Sequence, residues 1–291
     1  MSAPDWFVRA LAQEPERRFV HVEGAAIELL SWGERGKPGL MLLHGSGAHA
    51  HWWRFIAPFF ARTHRVAAIS WSGMGDSEWR ERYSVEQMAR EAIEGARAAG
   101  LYDHAELPVF AAHSFGGAPA LRMAIDHPEA LRALVIVDTA AQPEPDAIDQ
   151  LRKPFQEQHR PYEDAAEAKR RFRFLPDDEY APDHVRRFIG ESSLRFDEAE
   201  RRWRWKFDRR HWRPDDLTTR PWEQVPLVTR PISFIFGELT SLFSHASIAN
   251  IRDHRGNQPP TVIVPGAGHH VMIDQPLAFV TALRALLPRD G

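Results

Sequence analysis

The sequence of 291 residues contains no cysteine. A disulfide framework, a thiolate zinc site and a cysteine nucleophile are therefore all excluded. No uncharged apolar run approaches the ~18 residues of a membrane-spanning helix, and charges interrupt the N-terminal segment MSAPDWFVRALAQEPERRF, where a signal peptide would need its apolar core. These absences predict a soluble, cytoplasmic protein that has no membrane partner.

An excess of positive charge is also missing, since the formal net charge is −3. Such a balance gives no reason to expect a nucleic-acid partner. One stretch, RRWRWKFDRRHWR at 201–213, is basic with interleaved tryptophans, which leaves nucleic-acid binding open as a rival function. We expect instead a solvated arginine face over packed aromatics, because acidic residues such as Glu198, Glu200 and Asp208 dilute the positive field.

Short apolar runs alternate with helical patterns over most of the chain. The pattern of AAIELLSWG is typical of an early edge strand, and buried parallel strands are indicated by GLMLLHG, HRVAAIS, PVFAAHS, LRALVIVDTA, PISFIFG and PPTVIVPG. Helical periodicity is present in VEQMAREAIEGARAAGL and LAFVTALRALL. This alternation predicts an α/β fold with a mostly parallel central sheet flanked by helices.

The strand rhythm stops after residue 140 and resumes near residue 223. The region between is rich in arginine, acidic residues, proline and aromatics, and helices are indicated by DAAEAKRRFRFL, PDDEYAPDHVRRFIGES and FDEAERRWRWKF. We therefore predict a core domain formed by residues 1–140 and 223–291, with a helical cap inserted at residues 141–222.

The stretch VFAAHSFGGAPAL places Ser114 between a predicted strand and a predicted helix. Such a tight reversal lifts the side chain off the sheet edge and requires small residues two positions away on either side, which here are Ala112 and Gly116. The helix N-terminus adds free N–H groups and the positive end of a dipole. Ser114 is therefore a candidate nucleophile, although a serine that only caps a glycine-rich helix start has the same local pattern.

Two further segments supply the partners that a reactive serine needs. LLHGSG ends an earlier strand, so that the backbone N–H groups of Ser46 and Phe115 would form an oxyanion hole, each donor worth ~3 kcal/mol in the transition state. GAGHHVMIDQP follows the last strand, and we choose His269 over His270 as the general base because it directly follows Gly268.

HGSG, SGMGDS, AHSFGG and GHHVMIDQP occur in the order and near the spacings of the α/β-hydrolase superfamily. The sequence resembles that superfamily from Ile27 to Thr139 and from Trp222 to the C-terminus, with the inserted region unmatched. Ala112 stands where the family usually has glycine. The resemblance implies an α/β-hydrolase fold, and the serine argues against the family's dehalogenases and epoxide hydrolases, which attack with a carboxylate.

A neutral residue stands where the family usually has its triad acid. That acid commonly ends a G-x-x-D pattern, and the corresponding segment GELT ends in Thr240. In one interpretation the acid has moved to Asp138 at the end of LVIVDTA, as in certain haloalkane dehalogenases and zearalenone-type lactonases. In the others Glu238 replaces it, or no acid is present and activity is weak. We favour Asp138, although a strand-end aspartate also caps loops in many proteins.

Together these residues predict a serine hydrolase that cleaves a small carboxylic ester or lactone through an acyl-enzyme. The catalytic residues are Ser114, His269 and Asp138, the oxyanion hole uses the amides of Ser46 and Phe115, and neither a cofactor nor a metal is predicted. The alternatives are hydrolysis of a carbon–carbon bond or acyl transfer on the same triad, and a non-catalytic ligand receptor. Substrate identity and oligomeric state are left open by the sequence.

Overall fold

The computed structural model describes residues 3–143, 161–176, 180–208, 210 and 220–288. Its strands are β1 (Glu16–Val22), β2 (Ala25–Trp32), β3 (Gly39–Leu43), β4 (Arg65–Ile69), β5 (Val109–His113), β6 (Ala133–Val137), β7 (Leu194–Asp197), β8 (Arg202–Trp205), β9 (Ile232–Gly237) and β10 (Thr261–Val264). An eight-stranded sheet has the order β1-β2-β4-β3-β5-β6-β9-β10, and β7 pairs with β8. The β1–β2 and β2–β4 pairs are antiparallel and the other pairs of the large sheet are parallel, so the predicted mostly parallel sheet is confirmed.

Nine α-helices lie within the described residues, and some of them cover the two faces of the large sheet. They are α1 (Asp5–Leu11), α2 (Val85–Ala99), α3 (Gly117–Asp126), α4 (Ala165–Arg170), α5 (Asp183–Ser192), α6 (Pro221–Gln224), α7 (His245–Ala249), α8 (Val271–Asp274) and α9 (Pro276–Leu286). Apolar residues of α2 and α3 pack on one face of the sheet, and those of α1 and α9 pack on the other. Among the helices within the described residues, none has both the length and the apolar character that crossing a membrane requires.

The parallel register places the carboxyl ends of the central strands at one edge of the sheet. Leu43 of β3 pairs with Ala112 of β5. His113 of β5 pairs with Val137 of β6, which in turn pairs with Ile235 of β9. The segments that follow these strands therefore start side by side, and together with the segment after β10 they contain all of the candidate catalytic residues.

The antiparallel side of the sheet differs from the prediction. The segment predicted as an edge strand is β2, which is internal because β1 pairs with it on one side and β4 on the other. The true edge is β1, whose sequence ERRFVHV is largely exposed. Its polar composition hides the apolar alternation by which strands are recognised in a sequence. The prediction for β2 is thus right in type and wrong in position.

The inserted region contains a β-hairpin where FDEAERRWRWKF predicts a helix. In the β7–β8 pair, Leu194 lies opposite Trp205 and Phe196 opposite Trp203. Arginine and tryptophan alternate along β8, and this period of two fits a strand. Tyr162 packs with Leu194 and the two tryptophans on one side of the hairpin. The helix prediction for this segment is therefore wrong, whereas α4 and α5 lie within the other two predicted helical segments.

The described part of the inserted region is tied to the loop that follows β4. The Lys206 carbonyl accepts a hydrogen bond of 2.9 Å from the Gly75 N–H, and the Gly73 carbonyl accepts one of 2.7 Å from the Asp208 N–H. The Lys206 ammonium also forms an ion pair with Asp76 at 2.9 Å. These bonds fix one side of the inserted region against the core. Its bounds at 141–222 and its role as a cap stay predictions.

Several arginines of the basic stretch 201–213 pair with acidic side chains. Residues 209 and 211–213 of that stretch lie outside the described residues. The ion pairs are Arg202–Glu163, Arg204–Asp197 and Arg210–Asp208. Positive charge on the described part of this surface is therefore partly neutralised, and the absence of a nucleic-acid partner stays a prediction.

A buried guanidinium joins the antiparallel side of the sheet to α2. The side chain of Arg65 is 1% exposed and forms an ion pair with Glu16 of β1 at 3.0 Å. It also donates hydrogen bonds to the carbonyl oxygens of Gly33, at 2.6 Å, and Ala99, at 2.9 Å. The hydrogen bond from Arg65 lowers the pKa of the Glu16 carboxyl. One side chain thus satisfies backbone carbonyls that belong to separate elements.

We expect the substitution Arg65→Met to lower the free energy of unfolding by about 3 kcal/mol, because it leaves buried carbonyl groups without a donor. Arg18→Met is the matched control, since Arg18 pairs with the same Glu16 at 3.1 Å from a position that is 53% exposed. That control should change the free energy of unfolding by less than about 0.5 kcal/mol. Urea unfolding followed by circular dichroism measures both variants, and equal losses would contradict this account.

Candidate active site

Ser114 lies at the turn between β5 and α3, with a backbone φ of 52°. A positive φ is uncommon for a residue with a side chain and is retained where the surrounding structure imposes it. The close packing of this turn is visible at Gly116, where an added Cβ would lie 2.5 Å from the His44 carbonyl oxygen. The small residues of AHSFGG therefore allow the tight turn that holds the half-buried Ser114 at the sheet edge.

The imidazole of His269 connects Ser114 to Asp138. Its Nε2 lies 2.8 Å from the Ser114 Oγ, and its Nδ1 lies 2.7 Å from the Asp138 Oδ2. A carboxylate can only accept, so Nδ1–H donates to Asp138 and Nε2 is left to accept from the Ser114 hydroxyl. His269 is 1% exposed and Asp138 is 0% exposed. The structure thus brings the three predicted catalytic residues into one hydrogen-bonded chain.

The loop that carries His269 crosses the carboxyl end of β9. A Cβ on Gly237 would lie 2.1 Å from the Gly268 carbonyl oxygen, so only glycine allows this crossing. The loop is held by a hydrogen bond of 2.8 Å from the Leu239 N–H to the Ala267 carbonyl, and by one of 2.9 Å from the Gly268 N–H to Asp274. This crossing carries the imidazole from the end of β10 back toward β6 and β5.

Asp138 is a buried carboxylate that several donors satisfy. Its Oδ1 accepts a hydrogen bond of 2.9 Å from the Gly237 N–H, and its Oδ2 accepts one of 2.7 Å from the Thr240 hydroxyl as well as that from His269. Its own backbone has a φ of 46°, which turns the chain at the end of β6. These donors satisfy the oxygens of a carboxylate that would otherwise be costly to bury.

Glu238 lies outside this chain of hydrogen bonds. Its Oε2 accepts from the Gly266 N–H at 3.0 Å, at the turn after β10, and the residue is exposed. The carboxylate that contacts the His269 ring is therefore that of Asp138. Thr240, at the usual position of the family's acid, donates its hydroxyl proton to that same carboxylate.

The two predicted oxyanion donors belong to the segments on either side of Ser114. Phe115 follows Ser114 directly, and Ser46 lies in the loop after β3. That loop is close to the nucleophile, since a Cβ on Gly45 would lie 3.0 Å from the Ser114 Cβ. Both backbone amides therefore belong to segments that border the Ser114 side chain.

Sequence analysis missed the role of His44 in fixing this loop. Its Nδ1–H donates to the Gly45 carbonyl at 2.7 Å, and its Nε2 accepts from the Trp71 N–H at 3.0 Å. The indole N–H of Trp71 in turn donates to the His44 carbonyl at 2.9 Å. Complete burial lowers the pKa of His44 to about 4, so the ring is neutral and keeps an acceptor nitrogen. The histidine that precedes GSG was the only sequence signal for this role.

Two more histidines surround His269. The ring centroid of His113 lies 4.9 Å from that of His269, and the centroid of His270 lies 5.0 Å from it. His113 Nε2 donates to the His269 carbonyl oxygen at 3.0 Å. Burial lowers the pKa of both His113 and His270 well below 6.5, so both rings are neutral at pH 7. They therefore add no positive charge that would oppose protonation of His269.

Two groups of side chains within the described residues have the donor types that a metal ion needs. The rings of His113, His269 and His270 each offer a nitrogen within 4.8 Å of the others, and Glu28, His51 and Asp76 form the second group. In the first group, both nitrogens of His269 already bond to Asp138 and Ser114. In the second, Glu28 already pairs with Arg17 and His51. The His269 ring and the Glu28 carboxylate are therefore already engaged by side chains of the protein itself.

Comparison with known proteins identifies the family. Residues 40–283 match the sequence profile of the Alpha/beta hydrolase family. The esterase Rv0045c of Mycobacterium tuberculosis is 26% identical over 275 residues, which cover 91% of this chain and 88% of that protein. The 2-hydroxymuconate semialdehyde hydrolase of Pseudomonas sp. (strain CF600) is 38% identical over 107 residues, which cover 35% of this chain and 36% of that protein.

Solved structures show the same fold. The crystal structure of E-2-(acetamidomethylene)succinate hydrolase superposes with a TM-score of 0.81 at 20% identity, over 94% of this chain and 98% of the other. Because the family profile matches most of the chain and the fold agrees, this protein belongs to the alpha/beta hydrolase family.

Proposed function

We propose that the protein is a serine hydrolase that cleaves small carboxylic esters or lactones through an acyl-enzyme. The observation that carries the proposal is the unbroken hydrogen-bonded chain from the buried Asp138 through His269 to Ser114. The esterase relative, which matches nearly the whole chain, supports an ester as the substrate class. The reaction uses only groups of the chain itself and water.

In the first half of the reaction, Ser114 Oγ attacks the carbonyl carbon of the substrate while His269 Nε2 takes its proton. The developing oxyanion is held by the backbone N–H groups of Ser46 and Phe115, each worth ~3 kcal/mol in the transition state. The carbon–oxygen bond to the alcohol then breaks, and His269 returns the proton to the leaving oxygen. A water molecule attacks the acyl-enzyme with the same base and releases the acid.

A buried carboxylate faces the imidazole that takes up the proton in these steps. The carboxylate of Asp138 lies 2.7 Å from His269 Nδ1 and is shielded from solvent, so its attraction for the imidazolium is strong. The neighbouring His113 and His270 rings are neutral because burial lowers the pKa of each. Of the three rings, the one that bonds to Ser114 is thus the one paired with a carboxylate.

Hydrolysis of a carbon–carbon bond is a second candidate, favoured by the 38% identity to the semialdehyde hydrolase over part of the chain. Ser114 and His269 would serve both reactions, so the triad geometry does not separate them. Parallel assays of aryl esters and of an acidic ring-fission diketone do so, because an esterase turns over the first and a carbon–carbon hydrolase the second.

A non-catalytic receptor is a further alternative. It is suggested by the neutral Thr240 at the position where the family usually has its triad acid. Because the Thr240 hydroxyl donates to Asp138, a carboxylate still faces His269 despite this substitution of the usual acid. This contact supports catalysis over a receptor that has kept only the pocket.

We expect Asp138→Asn to lower kcat for a short aryl ester by about 10³- to 10⁴-fold, because an amide would favour the wrong imidazole tautomer and could not stabilise the imidazolium. Glu238→Gln is the matched control and should stay within about twofold of the wild type, since a change away from the reacting groups is close to neutral. Steady-state kinetics of the three proteins give the answer. Similar activities for Asp138→Asn and the wild type would refute the assignment of the acid.

An active-serine phosphonate should form one covalent adduct with the protein, at Ser114. The nucleophile is activated by His269, so no other serine should react at a comparable rate. Peptide mass spectrometry locates the adduct, and Ser114→Ala should remain unlabelled under the same conditions. A wild-type protein without an adduct would favour the receptor alternative.

A further inference from the structure

A small cavity borders the loop after β3 and the loop that carries His269. It is bordered by Ser46 and His270, which are the neighbours in sequence of Gly45 and His269. A Cβ on Gly45 would lie 3.0 Å from the Ser114 Cβ, and the His269 ring bonds to the Ser114 hydroxyl. The volume of the cavity is about 70 Å³, enough for roughly five water-sized groups. The cavity therefore lies close to the place where a substrate would bind at Ser114.

The walls of the cavity are mainly aromatic, and several of its polar groups are already satisfied. Apolar lining is provided by Trp52, Phe172, Phe174, Leu175, Trp205 and Phe207. The hydroxyl of Ser193 donates to the Ile189 carbonyl at 2.7 Å and accepts from His49 Nε2 at 2.9 Å. The Lys206 ammonium is paired with Asp76 at 2.9 Å. None of these groups needs a ligand to complete its bonds.

Two other side chains of the lining are buried and carry polar atoms without a hydrogen-bond partner among the described residues. Trp52 and His270 are each 5% exposed, and their ring centroids lie 5.7 Å apart. Within the described part of the chain, the indole N–H of Trp52 has no hydrogen-bond acceptor, and neither ring nitrogen of His270 makes a hydrogen bond of ordinary geometry. The Leu175 carbonyl is the polar group that approaches the His270 ring. Buried polar groups without partners are uncommon and require an explanation.

We propose that Trp52 and His270 form a polar subsite that recognises a neutral oxygen acceptor on the acyl group of the substrate. An indole N–H can only donate, so the ligand must present an acceptor to Trp52. The neutral imidazole of His270 has one N–H donor and one acceptor nitrogen, and its tautomer decides which of the two faces the ligand. The acyl groups of this class are short chains with an ether, hydroxyl or carbonyl oxygen near the end. This inference rests on the proposed ester hydrolysis at Ser114.

The aromatic lining of the cavity suits a neutral acceptor better than a carboxylate. Lys206, the ammonium in the lining, is neutralised by Asp76. The Arg173 guanidinium donates to the carbonyl oxygens of Arg170, at 3.1 Å, and Phe172, at 2.8 Å. A carboxylate in this aromatic space would lose much of its hydration, whereas a neutral oxygen needs only one or two donors.

Two esters of nearly equal size test the subsite. 4-Nitrophenyl methoxyacetate carries an oxygen where 4-nitrophenyl butyrate carries a methylene group, and both acyl groups suit a cavity of this volume. We expect Trp52→Phe to lower the ratio of their kcat/KM values, methoxyacetate over butyrate, by about fivefold, as the loss of one hydrogen bond predicts. The higher intrinsic reactivity of the methoxyacetate cancels, because wild type and variant are compared on the same pair. His270→Phe should lower the ratio in the same direction.

Trp53→Phe is the matched control. Trp53 is 0% exposed and its ring packs against Phe279 at 6.0 Å between centroids, away from the cavity lining. Its substitution should leave the ratio within about twofold of the wild-type value, as expected for a site that does not touch the ligand. A ratio unchanged by both Trp52→Phe and His270→Phe would overturn the subsite and would mean that water alone fills it.

Binding to the Ser114→Ala variant separates this inference from the proposed function. Saturation-transfer NMR titrations should show tighter binding of methyl methoxyacetate than of methyl butyrate, and the added change Trp52→Phe should remove the difference. If the wild type hydrolyses no ester while this preference is present, the proposed function fails and the subsite stands. If esters are hydrolysed and no preference exists in binding or in the kcat/KM ratio, the subsite fails alone.

Discussion

The hydrogen bond between His269 Nδ1 and the buried carboxylate of Asp138 is the interaction on which the site depends. It fixes the imidazole tautomer, turns Nε2 toward the Ser114 hydroxyl and supplies the negative charge that an imidazolium needs. Without this bond, Ser114 would be an ordinary serine on a tight turn, with no oriented base to accept its proton. The hydrogen bonds from Gly237 and Thr240 hold the Asp138 carboxylate in the orientation that this bond requires.

The geometry of a parallel sheet explains how the proposed triad acid can lie after β6. The ends of β6 and β9 are adjacent, since Val137 pairs with Ile235, so a side chain after either strand reaches the loop that carries His269. In this protein the carboxylate follows β6 and Thr240, after β9, supplies a hydroxyl donor to it. The close approach of Gly237 to the Gly268 carbonyl then brings the histidine loop over both strand ends.

The features that could be predicted from the sequence are those that short stretches of residues determine by themselves. The buried strands are short apolar runs, and the turn at Ser114 requires the small residues that AHSFGG provides. The placement of Asp138 beside His269 could be anticipated because both lie after strands of one parallel sheet. The edge strand β1 was missed because its residues are polar. The β7–β8 hairpin was predicted as a helix because its many charged residues resemble a solvated helix, although arginine and tryptophan alternate along β8 with the period of a strand. The roles of His44, Trp52 and His270 depend on contacts between distant segments, which no local pattern encodes.

The contact between His269 and Asp138 is open to direct observation by proton NMR. An imidazole N–H that donates to a buried carboxylate is shielded from exchange with water and resonates far downfield of the amide protons. The account predicts one such resonance in the wild type, assigned to His269 Nδ1–H by nitrogen-15 labelling, and its loss in Asp138→Asn with retention in Glu238→Gln. A resonance that persists unchanged in Asp138→Asn would contradict the central role of this carboxylate.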